Sequence, residues 1–149
     1  MSSIVKAFDL TGKKALITGG SRGLGLQIAE ALGDQGAHLV ISSRKAADLA
    51  AAQKHRADRG IEVDFIAADN SKDEEIQRLA HEAIAKLGRV DILVNNAGAT
   101  WGAPTEEHPI DAWDKVMNPN VRHQRPLRTR ARPVHLQRRR SYVVYNANA

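Results

Sequence analysis

KKALITGGSRGLGLQIAEALGDQG, residues 13–36, decides the fold. Residues 13–18 form a short apolar run, and residues 24–36 carry apolar positions at helical spacing that stop at Gly36. Between them lies TGGSRGLG (18–25), with Gly19, Gly23 and Gly25 in the spacing T-G-x-x-x-G-x-G. Strand, tight turn and helix therefore follow one another without a spacer. A glycine loop at this point lets the backbone approach a pyrophosphate, while free N–H groups and the dipole of the helix start favour its negative charge. Taken alone, the loop also fits a glycine-rich turn that binds nothing.

The same alternation continues downstream. AHLVISSR (37–44) reads as a second buried strand and KAADLAAAQKHRADRG (45–60) as an alanine-rich helix with Gly60 just past its end. IEVDFIAAD (61–69) supplies a third strand. SKDEEIQRLAHEAIAKLG (71–88) offers a capping box, Ser71 with Glu74, and an apolar stripe of Ile76, Leu79, Ala80, Ala83, Ile84 and Leu87. VDILVNN (90–96) is a fourth strand that runs directly into Ala97 and Gly98. Strands alternating with helices of this length require crossover connections, hence a parallel sheet covered on both faces.

Composition bounds the alternatives. A chain of 149 residues is long enough for one domain with a real core. The net charge of +5 is unevenly placed: residues 1–120 hold 14 Lys and Arg against 17 Asp and Glu, whereas residues 121–149 hold eight Arg and no acid. The basic character belongs to the tail, not to the domain. The absence of cysteine excludes a disulfide framework and a thiolate zinc site. The histidines at 38, 55, 81, 108, 123 and 135 show no ligand spacing and read as surface residues, so no metal site is expected. The first residues lack the apolar run of a signal peptide, and no stretch approaches about 18 apolar residues, so a soluble, cytoplasmic protein without membrane partners is expected. Glu106, Glu107, Asp111 and Asp114 read as an acidic helix entrance rather than a catalytic carboxylate pair.

About twenty residues past the glycine loop, where a site for NAD places an acid on the ribose hydroxyls, the chain has Ser42, Ser43 and Arg44. Arg44 can pair bidentately with a 2′-phosphate, joined by Arg22 from the loop, which points to NADP(H) rather than NAD(H). The competing reading of Arg44 is an ordinary solvated arginine at a helix start.

TGGSRGLG, then Asp69 after the third strand, then NNAG (95–98), together resemble the short-chain dehydrogenase/reductase family over residues 10 to about 121. The resemblance implies a Rossmann-like, doubly wound parallel α/β sheet, here with four strands in the order 3-2-1-4 and the fourth at an edge. It also implies an NAD(P)-binding domain over 1–120. Gly19, Ser21, Arg22, Gly23, Leu24 and Gly25 would surround the cofactor, with Asp69 at the adenine, Asn70 along the cofactor, and Asn96 and Gly98 of NNAG beside the ribose. GATWGAP (98–104) is similar to a stretch in sugar-acid and 3-oxoacyl reductases of the family, with Trp101 in the loop beyond the fourth strand; an exposed tryptophan packing on a neighbour is the other reading. DAWDKVMNPNV (111–121) resembles the start of the family's next long helix, where Asn120 matches an asparagine of the catalytic set. Pro119 departs from the apolar residue usual there, removes a backbone donor and biases Asn118 away from helix.

In the family, hydride passes between nicotinamide and a carbonyl or alcohol carbon while a tyrosine, held at useful acidity by the lysine of Y-x-x-x-K, transfers the proton. Tyr142 and Tyr145 are followed four residues later by Asn146 and Ala149, and no lysine occurs after Lys115. No general acid is assigned, and Asn120 is the remnant of the catalytic set. The family implication is an NADP-dependent oxidoreductase acting on a carbonyl or secondary alcohol, with catalysis and the family's homo-oligomer interface lost in this chain.

Residues 118–140 hold eight arginines, three prolines and no acid, with no amphipathic stripe after Val121. Unpaired guanidinium groups resist burial, so 121–149 is expected to be a solvated, irregular basic tail. Three origins stay open: a shifted reading frame near 119–123, a basic arm on a non-catalytic dinucleotide-binding module that contacts nucleic acid, and a solvated extension. SYVVYN (141–146) has the propensity for an edge strand and equally for an aggregation-prone end. A shifted frame predicts that the coding DNA downstream of codon 118, translated in another frame, contains a serine followed by Y-x-x-x-K; finding none removes that origin.

Overall fold

The computed structural model describes residues 7–102, 104, 107, 109–122, 126, 127 and 142–145. Five strands form one sheet: β1 (Lys14–Thr18), β2 (His38–Ser43), β3 (Val63–Ala67), β4 (Ile92–Asn95) and β5 (Tyr142–Tyr145). The spatial order is β3-β2-β1-β4-β5, and every pairing is parallel. Among the described residues, the connections hold helices α1 (Gly23–Asp34), α2 (Ala46–Ala57), α3 (Asp73–Leu87) and α4 (Ile110–Met117), the last followed by a π turn over Asn118–Arg122.

The central strands are nearly continuous apolar runs because both faces of the sheet are covered. Side chains alternate across a strand, so Leu16 points to one face and Ala15 and Ile17 to the other. On the Leu16 face, Val40 and Leu93 pack with Leu79, Ala80 and Ala83 of α3. On the opposite face, Ile17, Leu39 and Ile41 pack with Ala29 of α1 and Leu49 of α2. Helices on both faces make the sheet doubly wound, as the sequence implies.

The order 3-2-1-4 is present, with one addition. β5 pairs with β4 in the register Ile92 with Tyr142 and Asn95 with Tyr145, so the fourth strand is not an edge. An unpaired β4 would leave a row of N–H and C=O groups open, and Tyr-Val-Val-Tyr has high strand propensity. The expected irregularity after Val121 is also broken at Leu127, which is 1% exposed in the cluster that holds Leu16 and Leu93. Its leucine side chain gains from burial where the neighbouring arginines cannot. The expectation for 123–125, 128–141 and 146–149 lies outside the described residues.

Two local expectations are corrected. Ser71 and Glu74 do not form a capping box: α3 starts at Asp73, no side chain caps it, and Ser71 instead donates its N–H and hydroxyl to Asp69 Oδ1. Asp73, Glu74 and Glu75 in the first turn answer the helix dipole in its place. The apolar stripe is as the spacing requires, with Ile76, Leu79, Ala80, Ala83 and Leu87 buried. Arg78 ties this helix to the end of β3, donating to the Ala67 carbonyl at 2.6 Å while bridging Glu75 and Glu82. Those two carboxylates raise the guanidinium pKa further.

His38 is not a surface residue; its side chain is 14% exposed, with Nδ1 3.0 Å from Lys14 Nζ and Nε2 3.4 Å from Asp64. The register that places Lys14 beside His38 and β3 beside β2 brings these polar groups together at the start of the sheet. His55 and His81 are exposed, and His108, His123 and His135 lie outside the described residues. Among the described residues no helix is long and apolar enough to cross a membrane.

Leu79 is fully buried between α3 and the sheet. Leu79→Ala is expected to lower the free energy of unfolding by about 2–5 kcal/mol, read from urea denaturation with unchanged slope.

Candidate functional site

Where β1 turns outward to β2 on one side and β4 on the other, the carboxyl ends of the strands leave a groove of about 360 Å³. Such a reversal of strand order is the place where open parallel sheets hold ligands, and the volume is within the range of small-molecule sites.

The groove is built from the end of β1. Thr18 Oγ1 accepts the N–H groups of Asn96 at 3.1 Å and Ala97 at 3.0 Å, and donates to the Val94 carbonyl at 3.3 Å. A hydroxyl has one donor and two acceptor sites, so its capacity is fully used. The Asn96 amide then donates back to the Thr18 and Gly19 carbonyls, each at 3.1 Å. This exchange locks the glycine loop onto the segment after β4.

The loop glycines follow from the crowding. Gly19 has φ +68°, and a Cβ there would meet Asn96 Nδ2 at 2.8 Å. At Gly25, in the first turn of α1, a Cβ would collide with the Gly19 carbonyl and the Asn96 amide. The helix start therefore lies directly against the loop. No side chain caps α1 and its first turn carries no acid, so its N–H groups and dipole are left to an incoming anion.

Eight of the eleven expected cofactor residues line the groove. Gly19, Ser21 and Arg22 come from the loop and Arg44 from the end of β2; Asp69 and Asn70 follow β3, and Asn96 and Gly98 follow β4. Gly23, Leu24 and Gly25 do not line it: Gly23 opens the helix at φ +56°, Leu24 faces outward, and Gly25 is buried beneath the loop. Lys45, Asp48 and Lys115, which the sequence did not single out, also line the groove.

Burial pushes the Asp69 carboxyl up, but the two hydrogen bonds from Ser71, aided by the charges of Arg44 and Lys72, outweigh it and hold the pKa below its ordinary value. Asp69 is thus ionised at neutral pH. A depressed carboxyl contributes stability above its unfolded-state pKa, and this is lost as pH falls through the lower folded value.

Asn120 sits outside the groove wall and braces it. Its amide donates to the Ala99 carbonyl at 2.7 Å and accepts the Ala99 N–H at 3.3 Å, beside Gly98. Pro119 does not push Asn118 out of helical geometry, since Asn118 has φ −60° and ψ −60°. The wider π turn carries the missing proline donor without breaking the chain direction, and such turns recur at functional sites. Trp101 packs on a neighbour as well as facing solvent: it is 46% exposed, with Lys115 Nζ 4.3 Å from its ring centroid. Among the acidic residues expected at the helix entrance, Asp111 lies in the first turn of α4, while Glu106 is outside the described residues.

A parallel sheet with this glycine loop, Asp69 and the Asn96 lock defines a dinucleotide-fold domain. The short chain dehydrogenase family model matches residues 13–124, and the chain belongs to that family. It is 44% identical over 115 residues to the 3-oxoacyl-acyl-carrier-protein reductase of rhamnolipid biosynthesis from Pseudomonas aeruginosa, covering 76% of this chain and 44% of that one. Identity to the D-beta-hydroxybutyrate dehydrogenase of Cupriavidus necator is 42% over 112 residues, covering 75% and 43%. The solved NADP complex of Pseudomonas aeruginosa RhlG superposes with a TM-score of 0.77 at 41% identity, covering 83% of this chain and 48% of that one. The chain thus spans less than half the length of the curated relatives it matches so well.

Sequence reading missed Thr18 as a structural keystone, although its place at the head of the glycine motif was a usable signal. Thr18→Val keeps the shape but removes the acceptor of the half-buried Ala97 N–H and one of the two acceptors of the Asn96 N–H, and is expected to cost on the order of 1–3 kcal/mol. Thermal unfolding measures the loss, and faster amide exchange at Asn96 and Ala97 locates it.

Proposed function

We propose that the groove binds NADP(H), and that the domain is the cofactor-holding part of a short-chain oxidoreductase acting on a carbonyl or secondary alcohol. The observation that carries this reading is the joint presence on one groove of an uncapped helix start behind a glycine loop and of Arg44 and Lys45 at the end of β2. The glycine loop fits the group, since Gly19 and Gly25 leave no room for a Cβ and so let the loop backbone lie close against Asn96 at the groove. When bound, the nicotinamide supplies hydride chemistry.

The chain's own residues divide the binding task. The N–H groups of the loop and α1 face the pyrophosphate, which the absence of acid in the first turn of α1 favours. Asp69, held ionised by Ser71 and Arg44, accepts a hydrogen bond from the adenine edge. Arg44 and Lys45 present cationic donors where NAD-selective sites carry an acid, and Arg44's planar fork suits a 2′-phosphate. Asn96 and Asn120 keep the segment after β4 in place beside the ribose.

In the family resemblance, proton transfer to the carbonyl oxygen uses a tyrosine with a lysine one helical turn away, and neither Tyr142 nor Tyr145 has lysine four residues on. The role proposed for the residues of this sequence is therefore cofactor binding. The similarity of 98–104 to sugar-acid and 3-oxoacyl reductases fits the 3-oxoacyl activity named for the Pseudomonas relative. It favours a polar keto substrate for the family activity.

NADPH fluorescence titration is expected to saturate, with Arg44→Ala weakening NADPH about 10- to 100-fold, the range for a charge-assisted hydrogen bond, and NADH little. Equal loss for both cofactors would remove the 2′-phosphate assignment. NADPH oxidation with a simple 3-oxoacyl ester is expected to stay at background.

A further inference from the structure

Arg56 is fully buried, on a helix whose other buried residues are Leu49 and Ala52. Its place is unusual for a guanidinium, because no carboxylate of a described residue forms an ion pair with it and its hydrogen bonds all go to backbone carbonyls. Nη1 donates to Ala52 of its own helix at 3.0 Å. Nη2 donates to Gly20 at 3.2 Å and to Leu26 at 3.1 Å. Nε has no hydrogen-bond partner.

The two acceptors of Nη2 are the informative pair. Gly20 precedes and Leu26 follows residues 21–25, so a single nitrogen grips both stems of the segment that turns from β1 into α1. Gly20 is held from the other side as well, with its N–H donating to the Ser42 carbonyl at 3.1 Å and its Cα against Ile41. Gly19, Ser21 and Arg22 face the groove, whereas the Gly20 carbonyl turns inward to the guanidinium. The charge therefore lies behind the loop, in the low-dielectric interior, on the side away from solvent.

Burial lowers the Arg56 pKa, while the more distant Glu30 acts the other way. A guanidinium keeps its proton under such conditions, so the charge persists. A leucine at this position would leave the buried Gly20 carbonyl without this donor, while the arginine leaves its own Nε without a hydrogen-bond partner among the described residues. What the arginine adds is a fixed loop span and a buried positive charge behind the helix start.

We propose that Arg56 is a positioning residue for the pyrophosphate subsite, clamping both stems of the glycine loop and placing buried positive charge behind it. This rests on the cofactor reading of the groove. It differs from the role of Arg44, because a clamp under the pyrophosphate serves NADPH and NADH alike and is indifferent to the 2′-phosphate.

The experiment measures affinities of the full chain for NADPH, NADH and adenosine 2′-phosphate, which lacks a pyrophosphate, in wild type, Arg56→Met and Arg56→Lys. Arg56→Met is expected to weaken both dinucleotides equally, by about tenfold, the order expected of one partly screened unit charge, and to leave adenosine 2′-phosphate unchanged. Arg56→Lys keeps the charge but not the two-stem grip, and is expected to fall between wild type and Arg56→Met, with faster amide exchange over 21–25. Circular dichroism identifies a variant that fails to fold; if Arg56→Met does, the same three ligands on Arg56→Lys decide. Unchanged dinucleotide affinity in a folded variant, or an equal loss for adenosine 2′-phosphate, overturns the clamp. Wild type that binds neither dinucleotide overturns the cofactor reading and the clamp with it, whereas wild-type binding with indifferent variants overturns the clamp alone.

Discussion

The exchange of hydrogen bonds between Thr18 and Asn96 is the constraint on which the site depends. β1 and β4 are neighbours that end at the same level, with Thr18 paired to Asn95, and the ladder between them stops there. The Thr18 hydroxyl and the Asn96 amide link the segments beyond it and fix the separation of two loops. Gly19 and Gly25 are consequences, since the amide occupies the space a Cβ would need. The direction of α1, and hence the aim of its dipole into the groove, follows from that close approach.

What was legible in the sequence is what hydrophobic period encodes. The stripe Ile76, Leu79, Ala80, Ala83, Leu87 and the runs that became β1 to β4 all report burial directly, and the crossovers they demand leave few topologies. The groove residues were legible because glycines that permit close backbone approach and charged residues at the strand ends are both written in residue type. Arg56 was not, since charge in KHRADR reads as a solvated face. Its spacing held the signal: Leu49, Ala52 and Arg56 lie at i, i+3 and i+7, one buried stripe in which the arginine stands where an apolar side chain would. The capping box failed for another reason. The helix begins one residue later than the box requires, with Lys72 rather than Ser71 at the N-cap, and Ser71 donates its hydroxyl to the Asp69 carboxylate two residues back.

The stretch after Met117 tests how far family pattern and physical order coincide. The family model ends at residue 124, close to where the pattern of residue types fails. Asn120 nevertheless makes both of its hydrogen bonds to Ala99, and Pro119 is buried rather than expelled, because a π turn absorbs the missing donor. Leu127 is buried in the core cluster that holds Leu16 and Leu93. Local chemistry thus continues past the last recognisable motif.

Charge is better read by place than by sum. Residues 1–120 carry more acid than base, yet the groove has Arg22, Arg44 and Lys45 on its wall and Arg56 behind its loop, against Asp48 and Asp69. Arg44 is tied to Asp69 because its charge helps to keep that carboxyl ionised. A 2′-phosphate drawn to Arg44 would compete for the same field, raising the cost of a charged Asp69. The two hydrogen bonds from Ser71 act more strongly on Asp69 than Arg44 does and do not depend on the cation. Asp69 therefore keeps its charge without relying on Arg44 alone, because Ser71 supplies two hydrogen bonds from its own chain segment.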